Sequence, residues 1–114
     1  MTPAKRGDRV APPAGPDQWE LTFLTTPAAK GWEELCRQAP GNTAKAWAEI
    51  RAEPQPFPDS SRHHRLKGQL STDNGLDQWQ YEVTGGGRIW YLVDPDKRTV
   101  WISYAGTGHP KVTD

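Results

Sequence analysis

The sequence is poor in cysteine, in long apolar runs and in export signals. Its single cysteine, Cys36, cannot form a disulfide within the chain. No stretch approaches the roughly 18 consecutive apolar residues that indicate a membrane span, and the N-terminus lacks the apolar segment of a secretory signal. These absences predict a protein of the cytoplasm that does not associate with membranes.

Net charge is also missing, because 14 lysine and arginine residues balance 14 aspartate and glutamate residues. A balanced chain creates no overall field that would attract nucleic acid, so any basic contact surface has to be local. The one dense basic cluster in the sequence is RHHRLKG, residues 62–68.

The length of 114 residues fits one domain. Residues 1–17 contain mostly proline, glycine, alanine and charged side chains, and we interpret them as a flexible N-terminal tail with nothing to bury. A single folded domain is then expected over residues 18–114.

A strand and a helix are predicted at the start of this domain. The segment WELTFLT alternates apolar and polar residues, as a half-buried strand does. Thr26 and Pro27 favour a helix start, with Thr26 as its cap, and the helix is expected to run to about Gln38. Cys36 falls on the apolar stripe of this helix, which predicts a buried thiol.

A second helix is expected after Pro40 and Gly41 interrupt the first. Asn42 or Thr43 can cap it, and it should end by Glu53. Two helices with so short a connection predict an antiparallel pair. The apolar side of the second helix is expected to contain Ala44, Trp47 and Ala48, with Ile50 as a further candidate.

The segment WQYEVTGGGRIWYLVD, residues 79–94, predicts two strands joined by a glycine loop. If Gly85–Gly87 form a three-residue loop, Tyr81 lies opposite Tyr91 and one face of the hairpin is wholly apolar and aromatic. The reverse face mixes charged and aromatic side chains. It consists of Gln80, Glu82, Thr84, Arg88, Trp90 and Leu92.

The basic cluster precedes this hairpin. If Leu66 and Leu70 point inward from a short strand, alternation places Arg65 and Lys67 on the opposite face, where they can bind phosphates. The alternative is a solvated basic edge that discourages aggregation.

The histidines predict no metal site. His63 and His64 are neighbours, so on a strand they face opposite ways, and no cysteine or carboxylate cluster accompanies them. His109 follows two glycines near the C-terminus and is expected at an open strand end, where it is either simply exposed or able to titrate near neutrality.

The predicted order is one strand, two helices, then three or four antiparallel strands and a short basic tail, which is an α+β arrangement. In this order and in the segments RLKG and RIWYLVD, residues 18–111 resemble the RelE/ParE superfamily of toxin–antitoxin toxins. RLKG is similar to the family's Leu-x-Gly segment, and RIWYLVD is similar to its Arg-x-x-Tyr strand. The resemblance implies a RelE-like fold of the microbial ribonuclease type.

The resemblance also implies a toxin that a cognate antitoxin protein neutralises. In the RelE-like branch it implies a ribosome-dependent endoribonuclease, an mRNA interferase that inhibits translation. Such cleavage needs no metal or other cofactor, because the 2′-hydroxyl of the RNA attacks the adjacent phosphate and the protein supplies a base, cations and an acid. Two alternatives remain: ParE-like inhibition of DNA gyrase, and a catalytically inactive module that only binds antitoxin.

The residues that carry these roles follow from the same resemblance. Arg65 and Lys67 match the basic residues around the Leu-x-Gly segment, Arg88 matches the arginine that opens the later strand, and His109 matches a C-terminal His or Tyr. Glu82 is either a general base or a cross-strand partner of Arg88. The catalytic candidates are His109, Arg88, Arg65 and Glu82. The candidate RNA-binding residues are Lys67, Arg62, His64, Lys111 and Tyr91.

Overall fold

The computed structural model describes residues 3–10 and 13–108 of the chain. Within these residues, two helices lie between a first strand and five later strands, and the strands form one sheet. This arrangement confirms the predicted α+β order. The elements are β1 Glu20–Phe23, α1 Thr26–Gln38, α2 Pro40–Ala52, β2 His63–Arg65, β3 Thr72–Asp73, β4 Leu76–Glu82, β5 Arg88–Asp94 and β6 Thr99–Gly106.

The sheet has the strand order β1, β6, β5, β4, β2, and the short β3 pairs with β4. Strand β1 is parallel to β6, with Leu21 opposite Val100. The remaining neighbouring pairs are antiparallel. The first and last strands of the domain therefore lie side by side, and β2 forms the opposite edge.

The N-terminal cap of α1 is Thr25, not the predicted Thr26. The Thr25 hydroxyl oxygen accepts a hydrogen bond from the Ala28 amide at 3.1 Å. The prediction for Cys36 is also wrong, because the sulfur side chain is exposed. Leu35 takes the buried position at this level of the helix, and the next residue is rotated about 100° away from the core.

Helix α1 packs closely on β6 at Gly31. A Cβ atom at this position would lie 1.6 Å from the carbonyl oxygen of Ala105, far inside van der Waals contact. Glycine is required here because the helix backbone touches the strand backbone.

Helix α2 begins at Pro40, directly after Ala39, so Asn42 and Thr43 lie inside it and do not cap it. The Thr43 hydroxyl donates to the Leu35 carbonyl at 3.1 Å, which turns this side of α2 toward α1. The predicted apolar side is therefore wrong at Ala44 and Ala48, which are exposed, and correct at Ile50. The buried residues of α2 are Thr43, Ala46, Ile50 and Arg51. Alanines mark a helix face weakly, and a threonine contact with the neighbouring helix sets the orientation.

The hairpin has the predicted faces but a different register. Tyr81 lies opposite Ile89, and Trp79 lies opposite Tyr91. The pairing is displaced by two residues from the expectation, because the connecting loop also includes Val83, whose amide bonds to the Gly87 carbonyl. A displacement of two residues keeps each side chain on its predicted face, whereas a displacement of one would reverse it.

The two helices cover one face of the sheet, called the helix face. Its core residues from the hairpin and β6 are Trp79, Tyr81, Val83, Ile89, Tyr91, Val93, Val100 and Ile102. The opposite face is called the outer face. Its residues alternate along the strands with the core residues of the helix face or lie opposite a residue that does. They are His64, Gln78, Gln80, Glu82, Arg88, Trp90, Leu92, Trp101 and Tyr104.

The segment before β1 packs against the domain. Val10 is 5% exposed and belongs to the core, and its amide donates to the Leu21 carbonyl at 2.8 Å. The interpretation that residues 1–17 have nothing to bury is therefore wrong for Val10. The reason is that β1 is an edge strand whose free backbone groups accept a further chain segment.

Candidate functional site

The outer face carries polar and ionisable side chains in rows that cross the strands. Glu82 lies opposite Arg88, and Gln80 lies between Trp90 on one side and His64 on the other. Directly opposite residues point to the same face of a sheet and lie within contact distance. The structure therefore brings His64, Glu82 and Arg88 together on the outer face.

Arg88 is buried, with 6% of its surface exposed, and its guanidinium contacts the glycine loop. Nη1 donates to the carbonyl oxygens of Thr84, Gly85 and Gly87 at 2.9, 3.3 and 3.0 Å. Nη2 lies 3.8 Å from the Glu82 carboxylate. This geometry favours the interpretation of Glu82 as the cross-strand partner of Arg88.

The neighbouring row contains a chain of hydrogen bonds. The Trp90 indole Nε1 donates to Gln80 Oε1 at 2.8 Å. Gln80 Nε2 lies 3.5 Å from His64 Nε2, and His64 Nδ1 lies 3.0 Å from the Arg65 carbonyl oxygen. The row joins an aromatic side chain of β5 to an imidazole of the edge strand β2.

A second aromatic side chain packs beside this row. The rings of Trp90 and Tyr104 are 6.1 Å apart in an edge-to-face arrangement. The Tyr104 hydroxyl donates to the carbonyl oxygen of Gly108 at 2.7 Å. Gly108 is the last described residue, so the chain reaches the outer face there. His109 and Lys111 lie outside the described residues, and their assignments stay predictions.

An open groove of about 310 Å³ borders the outer face beside β2. It is lined by Asp59, Ser60, Ser61, His64 and Lys67. Lys67 and Arg62 are exposed, and the Arg62 carbonyl accepts a hydrogen bond from the Glu82 amide at 2.7 Å. Lys67 therefore lies at the border of the outer face, and Arg62 is joined to that border through its backbone.

Arg65 lies apart from this set. It is opposite Trp79, on the helix face, and its guanidinium forms an ion pair with Asp77 at 2.9 Å. The predicted orientation of β2 is reversed, because His63 enters the core and Leu66 is buried outside it. The structure thus does not bring Arg65 to the outer face.

Tyr91 is completely buried, so its prediction as an RNA contact is wrong. Its hydroxyl donates to the carbonyl oxygen of Pro54 at 2.5 Å and contacts His63 Nε2. Burial raises the pKa of Tyr91 well above its usual value. The side chain joins the sheet to the segment after α2 and has no surface on which a base could stack.

His63 is a core histidine. Its ring centroid lies 4.9 Å from Tyr81, 5.9 Å from Trp79 and 6.0 Å from Tyr91. Since the Tyr91 hydroxyl hydrogen is directed at Pro54, His63 Nε2 is the donor in its contact with Tyr91. Burial lowers the pKa of His63 to about 4, which keeps the ring neutral near pH 7.

Two further properties concern the described residues. Residues 3–10 and 13–108 contain no group of three or more histidine, cysteine, aspartate or glutamate side chains placed to hold a metal ion. Neither α1 nor α2 is long and apolar enough to cross a membrane.

The sequence interpretation missed the contact between Gln80 and Trp90. The sequence predicts both residues on the mixed face of the hairpin, but a three-residue loop would place Gln80 opposite Leu92. The observed register puts it opposite Trp90. A tryptophan on a mixed strand face, whose N–H needs an acceptor when buried, was the available signal.

Comparison with solved structures identifies toxins of the same fold. A copper-bound mutant toxin from Helicobacter pylori matches with a TM-score of 0.56 and 14% identity, covering 78% of this chain and 93% of the toxin. A metal-bound toxin from the same organism matches with a TM-score of 0.54 and 16% identity, covering 76% and 91%. The isolated RelE toxin of Escherichia coli is 20% identical over 83% of this chain and 90% of its own, with a TM-score of 0.44.

These similarities concern the fold: the chain has the fold of the Helicobacter pylori toxins, in agreement with the toxin-like α+β fold that the sequence predicted. No family model matches the chain, and no curated protein matches it significantly.

Proposed function

We propose that this protein is the toxin of a toxin–antitoxin pair and that it cleaves messenger RNA at the ribosome. The observation that carries the proposal is the common location of His64, Glu82 and Arg88 on the outer face. A base, a carboxylate and a cation on one face match the needs of phosphodiester cleavage by the neighbouring 2′-hydroxyl. The fold shared with toxins supports the same function.

The charges divide into positioning and binding roles. Arg88 is buried against the loop carbonyls and Glu82, so it maintains the shape of the outer face. Arg62 and Lys67 are exposed and are the cations available to RNA phosphates. His109, predicted from the sequence, supplies the proton for the leaving 5′-oxygen. Arg65 acts less directly, because it is paired with Asp77 on the other side of the sheet.

The partners follow from the same proposal. A cognate antitoxin neutralises the protein in the cytoplasm, and the ribosome presents the messenger RNA. Since the chain as a whole is neutral, ribosome binding depends on the few exposed cations beside the outer face. Binding should therefore weaken as salt rises, with a slope set by those few contacts.

Induced expression without antitoxin tests this proposal. We expect rapid loss of messenger RNA with discrete cuts mapped on translated transcripts, and purified protein should cleave messenger RNA only when ribosomes are present. His64→Gln and His109→Gln should each reduce cleavage by about 100-fold or more. Arg37→Gln, which removes an exposed charge from α1, is the matched control and should cleave normally.

Other results would contradict the proposal. Intact messenger RNA with DNA damage and cell filamentation would indicate the gyrase inhibitor instead. Normal growth at high expression, together with antitoxin binding, would indicate an inactive binding module. Full activity of both histidine variants would refute the assignment of the site.

A further inference from the structure

We propose that Gln80, held in place by Trp90, is a positioning residue that sets His64 as the proton acceptor for the attacking 2′-hydroxyl. This inference rests on the proposed function and identifies the base of that reaction. It starts from three contacts along one row of the outer face, from Trp90 through Gln80 to His64 and the Arg65 carbonyl.

The orientation of the Gln80 amide follows from its neighbour. An indole nitrogen can only donate, so the Gln80 atom at 2.8 Å from Trp90 Nε1 is the carbonyl oxygen. The amide nitrogen of Gln80 therefore faces His64, 3.5 Å from Nε2. That nitrogen also can only donate, so His64 Nε2 has to present its lone pair.

The other nitrogen of His64 agrees with this assignment. His64 Nδ1 lies 3.0 Å from the Arg65 carbonyl oxygen, which can only accept. Nδ1 therefore carries the hydrogen and Nε2 does not, which is the neutral tautomer that can take a proton on Nε2.

The distance between the two nitrogens leaves a place for the substrate. At 3.5 Å the direct contact is at the limit of a hydrogen bond. A hydroxyl oxygen about 3 Å from each nitrogen would donate to His64 Nε2 and accept from the Gln80 amide. Gln80 then orients the nucleophile toward the base.

The reaction step balances. The 2′-hydroxyl proton passes to His64 Nε2, and the 2′-oxygen forms a bond to phosphorus. The bond from phosphorus to the 5′-oxygen breaks, and that oxygen takes a proton from solvent water. The products are a 2′,3′-cyclic phosphate and a free 5′-hydroxyl, with His64 protonated on both nitrogens.

The surroundings of His64 allow this role. Asp59 and Lys67 line the same groove and carry opposite charges, and Arg65 is engaged by Asp77. His63, its sequence neighbour, points to the other face and stays neutral near pH 7. Gln80 is therefore the side chain that directly contacts Nε2, as far as the described residues show.

The test begins with the tautomer, which does not depend on activity. Nitrogen-15 NMR of the full chain near pH 7.5 should show His64 with a protonated Nδ1 and an unprotonated Nε2. Gln80→Glu keeps the acceptor for Trp90 but faces His64 with a carboxylate, so Nε2 should gain a hydrogen while Nδ1 keeps the one that it donates to the Arg65 carbonyl. Gln78→Glu is the matched control: Gln78 is a buried glutamine of the same strand and face, but it bonds to Leu70 and Ser103. It should leave the His64 tautomer unchanged.

Kinetics with ribosomes and messenger RNA then test the catalytic role. In Gln80→Glu the acidic limb of the pH–rate profile should move up by about one pH unit. Gln80→Met, which lacks the donor but has a similar volume, should lower kcat by about tenfold with little change in KM. A merely structural role would not move the acidic limb.

The outcomes separate the two proposals. A wild-type His64 with its hydrogen on Nε2, or an Nε2 that stays unprotonated in Gln80→Glu, overturns the inference while cleavage remains. The expected tautomer in a protein that never cleaves RNA overturns the proposed function and the catalytic role of His64 with it. The expected tautomer together with the shifted pH–rate profile supports both.

Discussion

His63 and His64 are adjacent in the sequence but have opposite environments. His63 is 7% exposed among Trp79, Tyr81 and Tyr91 on the helix face. His64 is partly exposed on the outer face beside an open groove. Strand alternation separates them, because neighbouring residues of β2 point to opposite sides of the sheet.

The two histidines also carry their hydrogens on different nitrogens. His63 Nε2 donates toward Tyr91, whose own hydroxyl donates to Pro54. His64 Nε2 accepts from Gln80 in the arrangement derived above. On the helix face, the polar groups join separate elements of the fold. On the outer face, the lone pair of His64 Nε2 remains accessible.

The helix face should be the more sensitive of the two to added volume. Gly31→Ala forces a Cβ into the Ala105 carbonyl, 1.6 Å away, so α1 has to move off β6. We expect the free energy of unfolding to fall by on the order of 4 kcal/mol, measured by urea denaturation.

Gly41→Ala is the control for this prediction, because a Cβ there meets open space in the other helix. It should leave stability equal or slightly raised. Equal stability of the two variants would contradict the close packing of α1 on β6.

Acid should destabilise the protein through His63. The pKa of His63 is about 4 in the folded chain against 6.5 in the unfolded chain. Between these values only the unfolded chain binds the proton, so stability falls as pH falls from 6.5 to about 4, and the loss ends below that. The full loss is about 2 to 3 kcal/mol.

The measurement is unfolding free energy against pH in two variants. His64→Gln should retain this acid dependence, whereas His63→Phe should lose most of it relative to the wild-type chain. Loss of the acid dependence in His64→Gln, with its retention in His63→Phe, would contradict the assignment of this dependence to the helix face.

Tyrosine hydroxyls on the two faces should differ in their contribution to stability. The Tyr81 hydroxyl is on the helix face and donates to Glu49 Oε2 at 2.8 Å. The Tyr104 hydroxyl is on the outer face and donates to an exposed carbonyl. We expect Tyr81→Phe to cost about 1 kcal/mol and Tyr104→Phe about 0.5 kcal/mol or less, by thermal unfolding. A larger loss of stability in Tyr104→Phe than in Tyr81→Phe would contradict the expected difference between the two faces.

The arginines around β2 should differ in RNA cleavage. Arg62 is exposed and accepts a backbone hydrogen bond from Glu82, whereas the Arg65 side chain lies on the helix face and pairs with Asp77. Arg62→Gln should lower kcat/KM for cleavage by about five- to tenfold, and Arg65→Gln by about twofold or less. Steady-state rates at fixed salt measure this, and a larger effect of Arg65→Gln would place the substrate on the other side of β2.

Local patterns predicted the hairpin faces but not its register. Tyr81, Ile89 and Tyr91 were assigned to a buried face and are buried. The observed pairing differs from the predicted one by two residues. Alternation indicates on which face a residue lies, but it does not determine the length of the connecting loop. That displacement hid the contact between Gln80 and Trp90, on which the further inference rests.

The basic cluster shows the same limit. The sequence predicts a short strand with alternating faces here, as observed, but the hypothesis that Leu66 points inward does not match the burial of His63 on the helix face. Residue hydrophobicity favours leucine, whereas the structure gives His63 a hydrogen-bond partner in Tyr91 and three aromatic neighbours. Such partners come from distant parts of the chain and leave no local signal.

The sequence by itself determined the α+β order, the two helices and the apolar side of the hairpin, because these follow from the periodicity of apolar residues. Only the tertiary structure decided which histidine enters the core, which strand residues face each other and where Arg65 points. Those depend on register and on contacts between distant segments, and a shift of one or two residues along a strand changes them while leaving the pattern of the sequence the same.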